Sequence, residues 1–374
     1  MKIGILTYHS AYNYGSVLQA FATQQALESL GYVANLINYR MEEQRRFYQP
    51  LYRTGYGMKV WLKDVLQFPC HAKRLQRAAR FENFFEKYFL LTKEVNKPEE
   101  VSVQWQQYDT IISGSDQIWN KHSYELEHND WLYMNPYLLK GFVRQRISYA
   151  SSVGSMTDTE LRRILPELRS FDALSFRESV SAKKMAALLH KPVETVLDPT
   201  FLLTKDDWCT SLRLQKLCEE KYILVYCLGG ITQLKHFLPP LSRLARKKNC
   251  KVKIVAPFCY LPYLDKRVEY HPEFGPIEFM NALYNADIVV TDSYHGTILS
   301  VNLEKEFYSI CKQGDSEFRK TDILERLGLQ DRIIHDAAMI SELAMSPIDY
   351  NTVYAKLKIL RQHSMNYLNE ALKK

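Results

Sequence analysis

Apolar residues in this chain form two kinds of pattern. Short uninterrupted runs, many rich in β-branched residues, recur at residues 2–7, 33–39, 108–112, 146–150, 173–176, 193–197, 222–227, 252–256, 286–291 and 306–310. Between most of them lie longer segments whose apolar positions return every three or four residues. The runs predict parallel strands covered on both faces and the segments predict amphipathic helices; their alternation predicts doubly wound α/β sheets. In such sheets ligands lie beyond the carboxyl ends of the strands. The opening shows the unit clearly. After the strand at 2–7, a polar loop reaches Gly15-Ser16 and a helix carrying Val17, Leu18, Phe21, Leu27 and Leu30, which stops at Gly31 before the next strand. The loop at 8–16 is therefore expected to face a cleft.

From about residue 40 to 92 the pattern changes to long amphipathic segments with a basic cluster, Lys73, Arg74, Arg77 and Arg80, beside Trp61, Leu62, Val65, Leu66, Phe81, Phe84, Phe85 and Phe89. This predicts a helical insertion between strands. Such a face suits either solvent or an anionic bilayer. Pro199 and the polar stretch Thr204-Lys205-Asp206-Asp207 mark the expected boundary. The reading is thus a 1–203 α/β domain holding the insertion and a 204–374 α/β domain whose last helix, about 353–372, packs back. Tandem sheets of this kind offer their strand ends to a common crevice, where group-transfer enzymes place donor and acceptor.

A length of 374 residues agrees with two domains, and 46% hydrophobic residues suffice for sizeable cores. The net charge of +7 favours anionic ligands without demanding nucleic acid, for which no motif is present. The 25 tyrosines and 17 phenylalanines lend weak support to sugar binding, since cores also take aromatics. Seven scattered cysteines include no CxxC pair, and no histidines stand at zinc-ligand spacing. Reduced thiols, a cytoplasmic location and no structural metal are expected. The first residues read as a strand, not a signal peptide, and no apolar stretch reaches about 18 residues.

The candidate chemistry centres on one break in the pattern. The run 286–291 gives way to Asp292-Ser293-Tyr294-His295-Gly296-Thr297 and resumes as Ile298-Leu299-Ser300-Val301. Strand, tight loop and helix start place N–H groups and the positive end of a helix dipole beyond the strand, with a histidine able to move a proton or merely to cap its own helix. Two further strand ends carry polar residues: Ser113-Gly114-Ser115-Asp116-Gln117 after the run at 108–112, and Arg177-Glu178 after the run at 173–176.

Five stretches in order resemble the polysaccharide pyruvyl transferase family. They are Gly4-Ile5-Leu6-Thr7 with Asn13-Tyr14-Gly15-Ser16-Val17-Leu18-Gln19-Ala20, Ile112-Ser113-Gly114-Ser115-Asp116-Gln117-Ile118-Trp119, Ser175-Phe176-Arg177-Glu178, Leu197-Asp198-Pro199-Thr200-Phe201-Leu202-Leu203, and Thr291-Asp292-Ser293-Tyr294-His295-Gly296-Thr297. The resemblance implies two Rossmann-like domains with a cleft between them, a GT-B-like fold. It implies transfer of pyruvate from phosphoenolpyruvate onto two saccharide hydroxyls as a ketal, in surface polysaccharide biosynthesis.

That chemistry needs a general acid for the methylene carbon and donors for the phosphate and carboxylate, but in principle no metal or other cofactor. His295 is the expected acid/base, with Ser293, Tyr294, Gly296 and Thr297 around the donor. Arg177 is expected either to grip the donor's carboxylate or phosphate or to pair with Glu178. Asn13, Tyr14, Gly15 and Ser16 form the other lip, for acceptor hydroxyls or for helix capping, with Ser115 and Gln117 nearby. Asp116 is a second base or a turn former. Many family members carry an arginine where this chain has Ser293, so Arg319 or Lys320, in an expected loop, would replace its charge unless solvated. The expected partners are phosphoenolpyruvate and a saccharide, lipid-linked carriers included, with peripheral contact at the inner membrane face. A nucleotide-sugar glycosyltransferase of the same fold and a non-catalytic saccharide-binding relative are the alternatives.

Overall fold

The computed structural model describes residues 1–50, 57–66, 68–217, 220–257, 263–311, 318–336, 339–340 and 346–374. These form two compact units, one of residues 1–49, 85–203 and 357–374 and one of residues 50–84 and 204–356. Two of the seven cysteines, Cys218 and Cys259, and the side chain of Leu66 lie outside the described residues.

The first unit is built on a parallel sheet in the order β2-β1-β3-β4, comprising β1 (Ile3–Leu6), β2 (Ala34–Leu36), β3 (Thr110–Ser113) and β4 (Gln145–Ser148). A short pair, β5 (Ser175–Phe176) and β6 (Glu194–Thr195), continues it through parallel bridges from Ile147 to Ala173 and from Ser151 to Phe176. Every central strand is buried at all four positions, which is why these segments read as unbroken apolar runs. Helix Tyr14–Ser29 follows β1; Asn13 caps it by accepting the Gly15 N–H, and Gly31, at φ +85°, lets the chain leave. Its buried core includes Trp119, whose Nε1 donates to the Tyr137 carbonyl and whose ring meets Phe171 and Phe176 edge-on.

The second unit is a six-stranded parallel sheet comprising β7 (Tyr222–Tyr226), β8 (Lys251–Val255), β9 (Val268–Tyr270), β10 (Ile288–Thr291), β11 (Glu306–Ile310) and β12 (Ile333–Ile334). Their order is β9-β8-β7-β10-β11-β12, the doubly wound arrangement in which the winding reverses between the first and fourth strands. Here β7 and β10 pair directly, with Tyr226 opposite Thr291.

Two groupings differ from the sequence reading. Residues 50–84 belong with the second unit: Arg80 donates to the Glu273 carbonyl at 2.9 Å and pairs with Glu278 at 3.1 Å, and Lys73 pairs with Glu273 at 3.4 Å. The last helix, Tyr350–Lys373, begins in the second unit, but its residues from 357 belong with the first. There Ser364 Oγ accepts the Leu197 N–H, Tyr367 donates to the Ser148 carbonyl and Gln145 donates to the Ala371 carbonyl. Among the described residues no helix is long and apolar enough to cross a membrane, and no disulfide joins Cys70, Cys209, Cys227, Cys250 or Cys311.

Candidate active site

In the first unit the loops after β1 and β3 are tied together. Thr7 Oγ1 donates to the Ser115 carbonyl, Gln19 Nε2 donates to Thr7 Oγ1, and Ser115 N donates to Gln19 Oε1. Ser115 Oγ donates to the Ala150 carbonyl at 2.7 Å, so this side chain is structural in its present setting. Gly114 sits at φ +122°, and a Cβ there would lie 2.2 Å from the Tyr149 carbonyl oxygen, which requires glycine.

Asp116 is brought to Ser16, whose hydroxyl donates to Oδ2 at 2.8 Å, while Oδ1 accepts the Gln117 N–H. Gln117 Oε1 accepts from Asn120, Asn13 caps the first helix, and Tyr14 is buried.

Arg177 follows β5 and is buried. Its guanidinium is fully buried and meets Glu178 at 2.8 Å, Asp198 at 3.2 Å and Asp116 at 3.4 Å. Asp198 is held in turn by the N–H and hydroxyl of Thr200. Of its two expected roles, the geometry gives Arg177 the ion pair, widened to three carboxylates. The guanidinium is buried among these carboxylates rather than exposed.

Sequence reasoning missed Glu125. This buried carboxyl accepts from the Tyr48 hydroxyl at 3.1 Å, and Tyr48 is bonded by Asn13. Burial, reinforced by the nearby Asp116 charge, raises its pKa from 4.5 to about 7. Glu125 and Asp116 are thus electrostatically coupled, a setting in which Glu125 can hold a proton near neutral pH. Its segment, 114–135, shows neither strand nor helix periodicity, so no sequence signal marks it. Between pH 4.5 and 7 the unfolded chain has lost this proton and the folded chain keeps it. The stabilisation is complete below pH 4.5 and lost as pH rises through 7. Glu125→Gln should therefore flatten the pH dependence of stability in that window and exceed wild type by about 3 kcal/mol at pH 8, read by urea denaturation.

In the second unit Thr291 ends β10, and Ser293 caps helix Tyr294–Asn302 by accepting the Gly296 N–H. Thr297 donates its hydroxyl to the Ser293 carbonyl and shares a hydrogen bond with Ser309. Gly296 is required by close approach: a Cβ there would lie 2.4 Å from Thr291 Oγ1 and 2.9 Å from the Tyr226 ring.

His295 retains 8% exposure, and its ring stands edge-on to Tyr294 with centroids 5.2 Å apart. Arg319 lies 5.9 Å from the Tyr294 centroid, within reach of a cation–π contact. Arg319 and Lys320 belong to helix Phe318–Leu327 rather than to a loop. Lys320 is not solvated: it is buried, and Nζ donates to the carbonyls of Asp292 at 3.0 Å and Ile310 at 2.6 Å. The chain thus places a fixed cation at the ends of β10 and β11.

A second residue missed from sequence is Asp292. Its carboxylate accepts the N–H groups of Leu228 and Gly229, each at 2.7 Å. Burial raises its pKa, opposed by those two bonds and by Lys320. The second unit therefore gathers an imidazole, two cations and a carboxylate at the strand ends, a set able to transfer protons and hold charge. Among the described residues no group of three His, Cys, Asp or Glu side chains is placed to hold a metal ion.

The profile of the family described as polysaccharide pyruvyl transferase matches residues 13–310. No curated protein matches the chain. Among solved structures, the UDP-GlcNAc 2-epimerase of Methanocaldococcus jannaschii, in complex with UDP-GlcNAc and UDP, is similar at 11% identity with TM-score 0.53, covering 97% of this chain and 100% of that one. Arabidopsis thaliana UGT89C1 complexed with UDP is similar at 10% identity with TM-score 0.51, covering 99% and 98%. The Staphylococcus aureus MnaA–UDP co-structure gives 10% identity and TM-score 0.50, covering 99% and 91%. At these identities the likeness is one of fold, the α/β architecture of GT-B glycosyltransferases and related epimerases.

Proposed function

The chain belongs to the polysaccharide pyruvyl transferase family, a family of transferase enzymes, and from that premise we propose that it moves pyruvate from phosphoenolpyruvate onto two hydroxyls of a saccharide as a cyclic ketal. The observation that carries the reading is the setting of His295: at the carboxyl end of β10, on the first turn of a helix, with Lys320 fixed nearby and Arg319 within reach of Tyr294.

In this reading His295 gives a proton to the methylene carbon of the enol, leaving C2 electron-poor. One saccharide hydroxyl bonds to C2 and releases its proton to a base. The C2–O bond to phosphate then breaks, inorganic phosphate departs, and the second hydroxyl closes the ring and returns a proton. Arg319, Lys320 and the N–H groups that open helix Tyr294–Asn302 offset the donor's charge. The first unit holds two carboxyls of the kind that can take a hydroxyl proton, Asp116 beside Ser16 and Gln117, and Glu125 beside Tyr48. Donor, acceptor, ketal and phosphate balance without a cofactor, and none is invoked.

The acceptor is a saccharide of surface polysaccharide assembly, lipid-linked forms included, and the protein works in the cytoplasm. Lys73, Arg74 and Arg80 stand in ion pairs, so a peripheral bilayer contact would rest on the exposed apolar Met58, Trp61 and Leu62 rather than on the basic cluster.

The test is incubation with phosphoenolpyruvate and a panel of glycosides. One acceptor should gain the mass of pyruvate less water in step with phosphate release. Turnover of a nucleotide sugar, or saccharide binding with no donor consumed, would overturn the reading.

A further inference from the structure

Where the winding of a parallel sheet reverses, a ligand phosphate is held beyond the strand ends by main-chain N–H groups that open the next helix. In the second unit the reversal lies between β7 and β10. Two of the N–H groups there are those of Leu228 and Gly229, immediately ahead of the 19-residue helix Gly230–Lys248. Gly229 is exposed, so a ligand could reach it, but the place is taken.

Asp292, from the loop after β10, accepts Leu228 N–H on Oδ1 and Gly229 N–H on Oδ2, both at 2.7 Å. Cys227 Sγ lies 3.5 Å from Oδ2. Gln233 packs over the same glycine: a Cβ on Gly229 would come within 1.7 Å of Gln233 Oε1 and 2.9 Å of Asp292 Oδ2. Lys320 fastens Asp292 from behind through its carbonyl. The carboxylate thus gives these N–H groups what a phosphate would give them, two anionic oxygens on two adjacent donors.

We propose that Asp292 is a built-in anion that closes the phosphate nest of the second unit to nucleotide diphosphates, making it a determinant of donor specificity. A pyrophosphate entering here would have to displace two short charge-assisted bonds and then sit against a like charge. Neutral hydroxylated groups meet no such repulsion. A phosphate-bearing donor must place its phosphate elsewhere, on the side of Tyr294 and Arg319. This exclusion bars a nucleotide-diphosphate donor and is independent of whether phosphoenolpyruvate is the donor used.

The experiment is calorimetric titration of the full chain with UDP and with inorganic pyrophosphate, in wild type, Asp292→Ser and Asp292→Asn, with folding checked by circular dichroism. Wild type should show no saturable binding at millimolar ligand. Asp292→Ser, which frees both N–H groups, should gain affinity at least tenfold for both ligands. Asp292→Asn removes the charge and keeps one acceptor oxygen on the nest, its amide nitrogen replacing the other, so it should gain less; it decides the matter if the serine variant does not fold. Wild type binding as tightly as the folded variants, or no gain in folded Asp292→Asn, would overturn the proposal. Phosphoenolpyruvate turnover measured in the same wild-type preparation separates the two readings, because its absence would sink the pyruvyl transfer and leave the gain in the variants intact.

Discussion

Arg177→Met should lower the stability of the first unit by about 3–5 kcal/mol, because it strips the counter-charge from a buried cluster and leaves the acids behind. The wild-type guanidinium has no exposure and faces Glu178, Asp198 and Asp116 within 3.4 Å. Methionine fills comparable space but supplies no donor, so three carboxyls would have to be buried without a cation or find water by opening the fold. Arg177→Lys should recover only part of the loss, since one compact ammonium cannot reproduce a planar fork reaching three partners. Urea denaturation of the three proteins gives the answer. An Arg177 that served mainly to grip a donor would show the opposite split, with KM for the donor raised and the denaturation midpoint unmoved.

The other large effect is kinetic. His295→Ala should reduce kcat for saccharide-dependent phosphate release by about 10²–10⁴-fold, the range a single general acid contributes, with little change in the denaturation midpoint. His295→Gln, which keeps polarity and approximate size but cannot exchange a proton at neutral pH, should be nearly as slow. If either variant turns over at the wild-type rate, the imidazole is not the acid. Steady-state assays at saturating donor separate this from weakened binding, which would appear in KM alone.

Much of this architecture is legible in the sequence for one reason. Strands buried on both faces, such as β1, β7 and β10, cannot alternate polar and apolar residues, so they stand out as runs. Helix Ser179–Leu189 also begins and ends where its pattern does. Edge strands β9 and β12 escape because Val268–Tyr270 is only partly buried and Ile333–Ile334 is two residues long. Helix Asp158–Arg169 is legible in principle, since Thr157 and Glu160 form a capping box and Leu161, Ile164, Leu165 and Leu168 line one buried face.

The site divides in the same way. His295 and Asp116 lie at strand ends that local pattern can place. The partners of Arg177 lie 61 and 21 residues away in the chain, and local reading offered only its neighbour Glu178. Asp292 looks like an ordinary cap residue until Leu228 and Gly229 are folded against it. Grouping of residues 50–84 with the second unit depends likewise on pairs such as Arg80 with Glu278, which no period in the sequence encodes.

The glycine after His295 has a mechanical consequence. Thr291 cannot swing aside to admit a methyl group at Gly296, because its hydroxyl donates to the Tyr226 carbonyl and accepts the Ser293 N–H. The seat of the imidazole is therefore set by an empty space one residue away, and enlarging that neighbour by a single carbon would act as a wedge, tilting the ring without altering any atom of the ring itself.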